Sequence, residues 1–239
     1  MDAHTWWIGL IIFLAAFTES LSGFGVALVA MALLPLLVSL RLATPLVAVI
    51  SILVDLSVFL RYRQSLDLRA IWRVALATLF GIPLGLYFLS HLDERVTLTL
   101  LGVVLTTYAL YALLGRQLPR LEHPLWAYLA GLLGGLLGGA YNTFGPPVIL
   151  YADSRAWPPK VFKSNLSGYF VLCSVVVLAS HAMQGNLTPQ VMGMFWASLP
   201  FMLAGLLAGF SLDRWLKPEA FRRVVLALLV VMGLRLCFN

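Results

Sequence analysis

The chain has 239 residues, of which 61% are hydrophobic and only 11% charged, with a net charge of +6. Several apolar segments exceed the roughly 20 residues that a helix needs to cross a bilayer, which excludes a soluble globular domain. Lys and Arg in such excess are what the cytoplasmic loops of membrane proteins carry, so the charge is no argument for nucleic acid as a partner.

The first apolar segment, residues 6–40, carries one charge, Glu19. As a straight helix of 35 residues it would reach about 52 Å, against a hydrocarbon core of about 30 Å. It must tilt steeply or break, and Ser22-Gly23-Phe24-Gly25 is where a break is expected. Trp6 and Trp7 suit anchors at the membrane edge. Residues 1–18 hold no Lys or Arg, which argues against a cleavable signal peptide. Arg41, Thr44 and Pro45 mark the next turn, and a second helix is predicted over about 45–60, with Asp55 inside it.

Arg61, Arg63, Arg69 and Arg73 define a basic loop. The third helix runs to about Ser90, and its Gly81-Ile-Pro-Leu-Gly85 has the small-xxx-small spacing that lets helix backbones approach closely. A fourth ends near Leu114, and residues 115–123 form a linker. The second half repeats this order. Residues 124–152 carry no charge, yet residues 139–147 interrupt them with Gly-Ala-Tyr-Asn-Thr-Phe-Gly-Pro-Pro. A basic turn at 155–163, a helix over about 164–180, a turn at 184–189, a helix with Gly205 and Gly209, a charged turn at 213–223 and a last helix follow. Cys173 and Cys237 both lie in apolar segments, with neither a disulfide framework nor a zinc spacing.

At an offset of 120, Trp6 meets Trp126, Phe24 meets Phe144 and Gln64 meets Gln184. This points to one transmembrane domain, 1–239, made of two repeats at 1–114 and 124–239. The basic residues indicate their relative orientation. If each broken segment crosses once, the two sides receive 9 and 7 of the 16 basic residues. If each returns to the side it started from, one side holds Arg61, Arg63, Arg69, Arg73, Arg116, Arg120, Arg155, Lys160, Lys163, Arg214, Lys217, Arg222 and Arg223. Only Arg41, Arg95 and Arg235 lie opposite. The positive-inside rule favours the second arrangement. The expected fold is therefore an all-α polytopic membrane protein of two inverted repeats. Each repeat is a broken, re-entrant hairpin plus three transmembrane helices, about eight membrane segments in all, with both termini outside.

Backbone freed from helix bonds at membrane depth is tolerated only where protein or a water-filled cavity surrounds it. The two breaks are accordingly expected to meet in one central site. Each begins a second helical arm, and a helix N-terminus with its unpaired N–H groups is a ready anion site. The expected substrate-binding residues are Ser22, Gly23, Phe24 and Gly25 from the first break, and Tyr141, Asn142, Thr143, Phe144 and Gly145 from the second. Glu19 and Asp55 are intramembrane acids, which usually mark an ion path or proton relay. At the repeat offset they face Gly139 and Val175, so neither has an acidic counterpart in the other half. They are the candidates for ion or proton coupling. The sequence contains no metal-ligand spacing, nucleophile elbow or phosphate loop, so no metal, no cofactor and no enzymatic activity are expected.

Five stretches carry a family resemblance: Ser22-Gly-Phe-Gly25 with Leu34-Pro-Leu-Leu37, Gly134-Gly-Leu-Leu-Gly-Gly139, Phe144-Gly-Pro-Pro-Val148, and the turn Pro159-Lys-Val-Phe-Lys-Ser-Asn165. They resemble the sulfite exporter TauE/SafE family, bacterial membrane permeases with two similar halves. The resemblance implies transport of a small anion such as sulfite, an organosulfonate or a related sulfur-containing or carboxylate anion. It also implies a multi-pass protein of the bacterial inner membrane. The expectation is a secondary transporter working outward; the alternative is an anion channel without coupling. Its partners would be the anion, the lipid bilayer and a coupling ion, and the reading allows a homodimer.

Overall fold

The computed structural model describes residues 3–115, 119–213 and 218–238. These residues form helices and turns, with no strand among them. In chain order the helices are α1 Ala3–Ser22, α2 Val26–Leu33, α3 Leu40–Tyr62, α4 Leu68–His91, α5 Glu94–Leu113, α6 Pro124–Tyr141, α7 Gly145–Ser154, α8 Pro159–Met183, α9 Pro189–Leu212 and α10 Pro218–Cys237. Among the described residues, six helices are long and apolar enough to cross a membrane: α1, α3, α4, α5, α8 and α9. Trp6 and Trp7 are more than half exposed on this apolar surface.

Both breaks occur. Gly23 and Gly25 adopt φ of 83° and 123° between α1 and α2, conformations that a side chain would strain. Asn142 takes a left-handed φ of 56° between α6 and α7, which its short polar side chain tolerates better than most. The arms are unequal, 20 residues against 8 in the first pair and 18 against 10 in the second. Each broken segment ends beside its own start. His4 Nε2 lies 3.1 Å from the Leu37 carbonyl oxygen. Arg155 Nη1 donates to the Leu121 carbonyl at 3.2 Å.

Two helices start earlier than their prolines suggest. α3 begins at Leu40, and Pro45 lies inside it, not at a preceding turn. A proline one turn into a helix removes a single backbone bond. The Glu94 carboxylate also stabilises this end by accepting from the Leu40 N–H at 2.7 Å. α8 begins at Pro159, not near Ser164, because a proline is well suited to a first helical position.

The helices pack in pairs: α4 along α6, α1 along α9, α5 along α10 and α3 along α8. Glycine makes the first two contacts close. A Cβ added at Gly81 would lie 2.9 Å from Gly135 Cα, and one at Gly85 would lie 2.8 Å from the Ala140 amide nitrogen. On α9, a Cβ at Gly209 would lie 2.9 Å from the Phe17 carbonyl oxygen. Gly81 and Gly85, spaced as the sequence suggested, thus seat one backbone on another.

Candidate functional site

The two breaks meet at one small cavity. Gly25, Val26 and Leu28 line it from the first break, and Asn142, Thr143, Phe144 and Gly145 from the second. Glu19 enters from α1, Ser51 and Asp55 from α3, and Phe170 and Ser174 from α8. Among the described residues, no Lys or Arg lines it. The space open to the centre of a water molecule is about 20 Å³, room for about one water.

Glu19 lies in the last turn of α1, and the chain reversal at Gly23 carries α2 back past it. Its Oε2 accepts from the Val26 N–H at 2.7 Å, and the Gly25 N–H also points to this carboxylate. Gly25 has no side chain with which to cap α2, so Glu19 does so from seven residues upstream. The head of α2, expected to be free for a ligand, is held by the protein's own carboxylate. Asp55 accepts from Ser174 Oγ at 2.5 Å. Glu19 and Asp55 face the same small cavity as neighbouring acids. Two buried carboxylates this close repel when both are ionised, which favours a proton shared between them. Both are buried, at 1% and 3% exposure. Among the described residues, neither Ser51 Oγ nor Glu19 Oε1 has a hydrogen-bond partner.

At the second break, Asn142 Nδ2 donates to the Thr44 carbonyl at 2.7 Å, and Thr143 Oγ1 donates to the Tyr141 carbonyl at 3.0 Å. The head of α7 carries Pro146 and Pro147, which have no N–H. Its first turn therefore presents chiefly the amides of Phe144 and Gly145.

The remaining expected residues lie elsewhere. Ser22 Oγ donates to the Thr18 carbonyl at 2.7 Å and also contacts the Phe24 carbonyl. Ser22 and Phe24 line a separate apolar space beside Tyr108, Leu226 and Leu229. Gly23 faces Lys163, whose Cγ would be 3.1 Å from an added Cβ. Tyr141 Oη donates to the Thr97 carbonyl at 2.9 Å.

Sequence reasoning missed Ser51, Phe170 and Ser174. Ser51 had a signal, since it precedes Asp55 by one helical turn and shares its face. Ser174 adjoins Val175, the residue opposite Asp55 at the repeat offset, and a buried acid in an apolar helix requires such a hydroxyl. The pairing of Glu19 with Asp55 was also unforeseen, because it joins α1 to α3 inside one half.

Lys163 closes the end of the bundle beneath the first break. Its Nζ donates to the Leu21 carbonyl at 3.0 Å and pairs with Asp213 at 3.2 Å. Tyr62 Oη donates to the same Asp213 at 2.9 Å. Among the described residues, no cluster of His, Cys, Asp or Glu could hold a metal ion.

An all-helical, multi-pass chain whose broken helices converge on a buried polar cavity has the architecture of a membrane transporter. Residues 8–236 match the sulfite exporter TauE/SafE family, and the chain belongs to that family. A Cupriavidus necator protein named "Probable sulfite/organosulfonate exporter TauE" is 27% identical over 175 residues, 71% of this chain and 68% of its own length. A Comamonas testosteroni protein named "Probable inner membrane transporter protein TsaS" is 28% identical over 179 residues, 74% of each chain. No solved structure gives a significant match.

Proposed function

We propose that this protein is a secondary transporter of the bacterial inner membrane that exports a small sulfur-containing anion, sulfite or an organosulfonate. The anion binds between the two hairpin tips. The observation that carries this reading is the single cavity shared by Gly25 and residues 142–145, two breaks 120 positions apart in the chain. The printed names of the two relatives supply the substrate class. Gly25, Asn142, Thr143, Phe144 and Gly145 form the binding surface, while Ser22, Gly23, Phe24 and Tyr141 shape the turns that present it.

Glu19 and Asp55 are the coupling residues. Two unit charges about 4 Å apart in a partly shielded site repel by about 4 kcal/mol. An anion entering beside an ionised carboxylate meets that penalty, and a proton on the pair removes it. Transport of this kind is coupled, unlike flow through a channel. In liposomes, a proton gradient should drive the anion uphill; flux that only follows the anion's own gradient would favour the channel.

The halves 1–114 and 124–239 are read as inverted repeats. Exchanging α1 with α6 and α4 with α9 turns the α4–α6 contact into the α9–α1 contact, while α3–α8 and α5–α10 map onto themselves. A hairpin that returns, followed by three crossings, leaves the second half upside down relative to the first. The positive-inside rule then places the end bearing Arg61, Arg63, Arg155 and Lys160 in the cytoplasm and both termini outside. Arg116, Arg214 and Lys217, also assigned to that side, lie outside the described residues. A cysteine at Lys160 should react with an impermeant thiol reagent only from the cytoplasm, and one at Gln184 only from outside. Labelling of both from one side would sink the inverted arrangement.

A further inference from the structure

We propose that Glu19 is a built-in occupant of the substrate's place at the head of α2, and that each arriving anion displaces it by taking up one proton. The inference rests on the anion-exporting reading above and adds the exchange that couples the two ions. The Glu19 carboxylate already makes the contact an oxyanion would seek, accepting from the Val26 amide in the first turn of α2. It does so on the cavity wall, where Ser51 Oγ and Glu19 Oε1 have no hydrogen-bond partner among the described residues. The Ser51 hydroxyl, without a partner at 3% exposure, points to an acceptor in the cavity, which an anion supplies; the Glu19 oxygen without a donor at 1% points to a proton, which the anion cannot supply itself.

The exchange balances. At rest the Glu19–Asp55 pair, two buried acids on one cavity, shares one proton and keeps one negative charge. A second proton, drawn from water, binds the Glu19 carboxylate and neutralises the pair. The Val26 N–H bond passes from Glu19 Oε2 to an oxygen of the anion, and the new Glu19 hydroxyl can donate to that anion in turn. The cavity then holds one net negative charge before and after, with one anion and one proton taken up together. Asp55 is the titratable group facing Glu19 from α3, and α8 brings Cys173 towards Asp55, with Tyr169 beyond it bonded to Thr78. Among the described residues, α2, α6, α7, α9 and α10 place no titratable group on the cavity. Lys163 is turned to Asp213 and the Leu21 carbonyl.

The test is a methanesulfonate titration of the purified full chain between pH 5 and 8, a probe that keeps one negative charge throughout. Affinity should rise roughly tenfold for each unit fall in pH, the slope of one-proton linkage. In weak buffer, about one proton should be taken up per anion bound. Glu19→Gln keeps an oxygen for the Val26 N–H but cannot charge, so its affinity should be flat with pH. A wild type that binds without proton uptake overturns the exchange, as does a Glu19→Gln variant that keeps the tenfold slope. The proton count needs no variant, so misfolding of Glu19→Gln would not spare the inference. A wild type that binds no methanesulfonate at any pH overturns the exporter reading beneath it.

Discussion

Gly145→Leu is expected to abolish binding of sulfite and methanesulfonate and to stop transport, while the protein still inserts and folds. Gly145 lines the cavity at the head of α7 and has an ordinary helical backbone, so a side chain causes no conformational strain there. An added Cβ would meet the flexible end of Ile149 at 3.0 Å and Leu28 of the opposite hairpin at 3.5 Å. The rest of a leucine then has only the cavity to fill. Gly25→Leu is a blunter instrument, because φ of 123° strains any side chain before it blocks anything. Asn142→Ala should weaken binding less, by roughly 10- to 150-fold, the loss of one hydrogen bond to a charged group. It should also lower stability, since it removes the bond to the Thr44 carbonyl. Full affinity in purified, folded Gly145→Leu would place the anion elsewhere.

The largest loss of stability is expected from Gly85→Ala and Gly205→Ala. Each adds one methyl group on a helix seam and not on the cavity lining, against a backbone carbonyl that cannot swing away, that of Leu136 for Gly85 and that of Phe13 for Gly205. Overpacking typically costs about 1–3 kcal/mol, and contacts with backbone belong at the upper end or beyond. Thermal unfolding in detergent should show both variants well below wild type. Gly193→Ala is the control, because a Cβ there meets nothing within 4 Å. Equal unfolding temperatures for all three would mean that the α4–α6 and α1–α9 contacts are looser than they stand here.

The breaks were legible because polar and helix-breaking residues are conspicuous in apolar runs, and lipid tolerates no idle irregularity. That each segment returns to its own start is a reading of the Lys and Arg distribution that remains a proposal, and the His4–Leu37 and Arg155–Leu121 contacts are compatible with it. Arm lengths were not legible, since a glycine fixes where a helix stops but not where in the bilayer it stops. Ser22 looked like a ligand because it sits at a break, yet a hydroxyl in a helix readily satisfies the carbonyl one turn back, as Ser22 does with Thr18. Glu19 and Asp55 stood out as costly acids. Their contact depends on how α1 and α3 lie together, which spacing along one chain does not encode.

The glycine seams also determine what can move. α6, the long arm of the second hairpin, is fastened to α4 of the first half, and α1, the long arm of the first, is fastened to α9 of the second. Two mixed bodies result, each holding one hairpin and one helix borrowed from the other repeat, and the cavity lies on the plane between them. Rocking residues 1–114 as a block against 124–239 would tear both seams at once. Sliding one mixed body past the other leaves both intact and shifts Gly25 relative to Gly145. A movement that kept both seams intact would therefore not divide the chain at its middle linker.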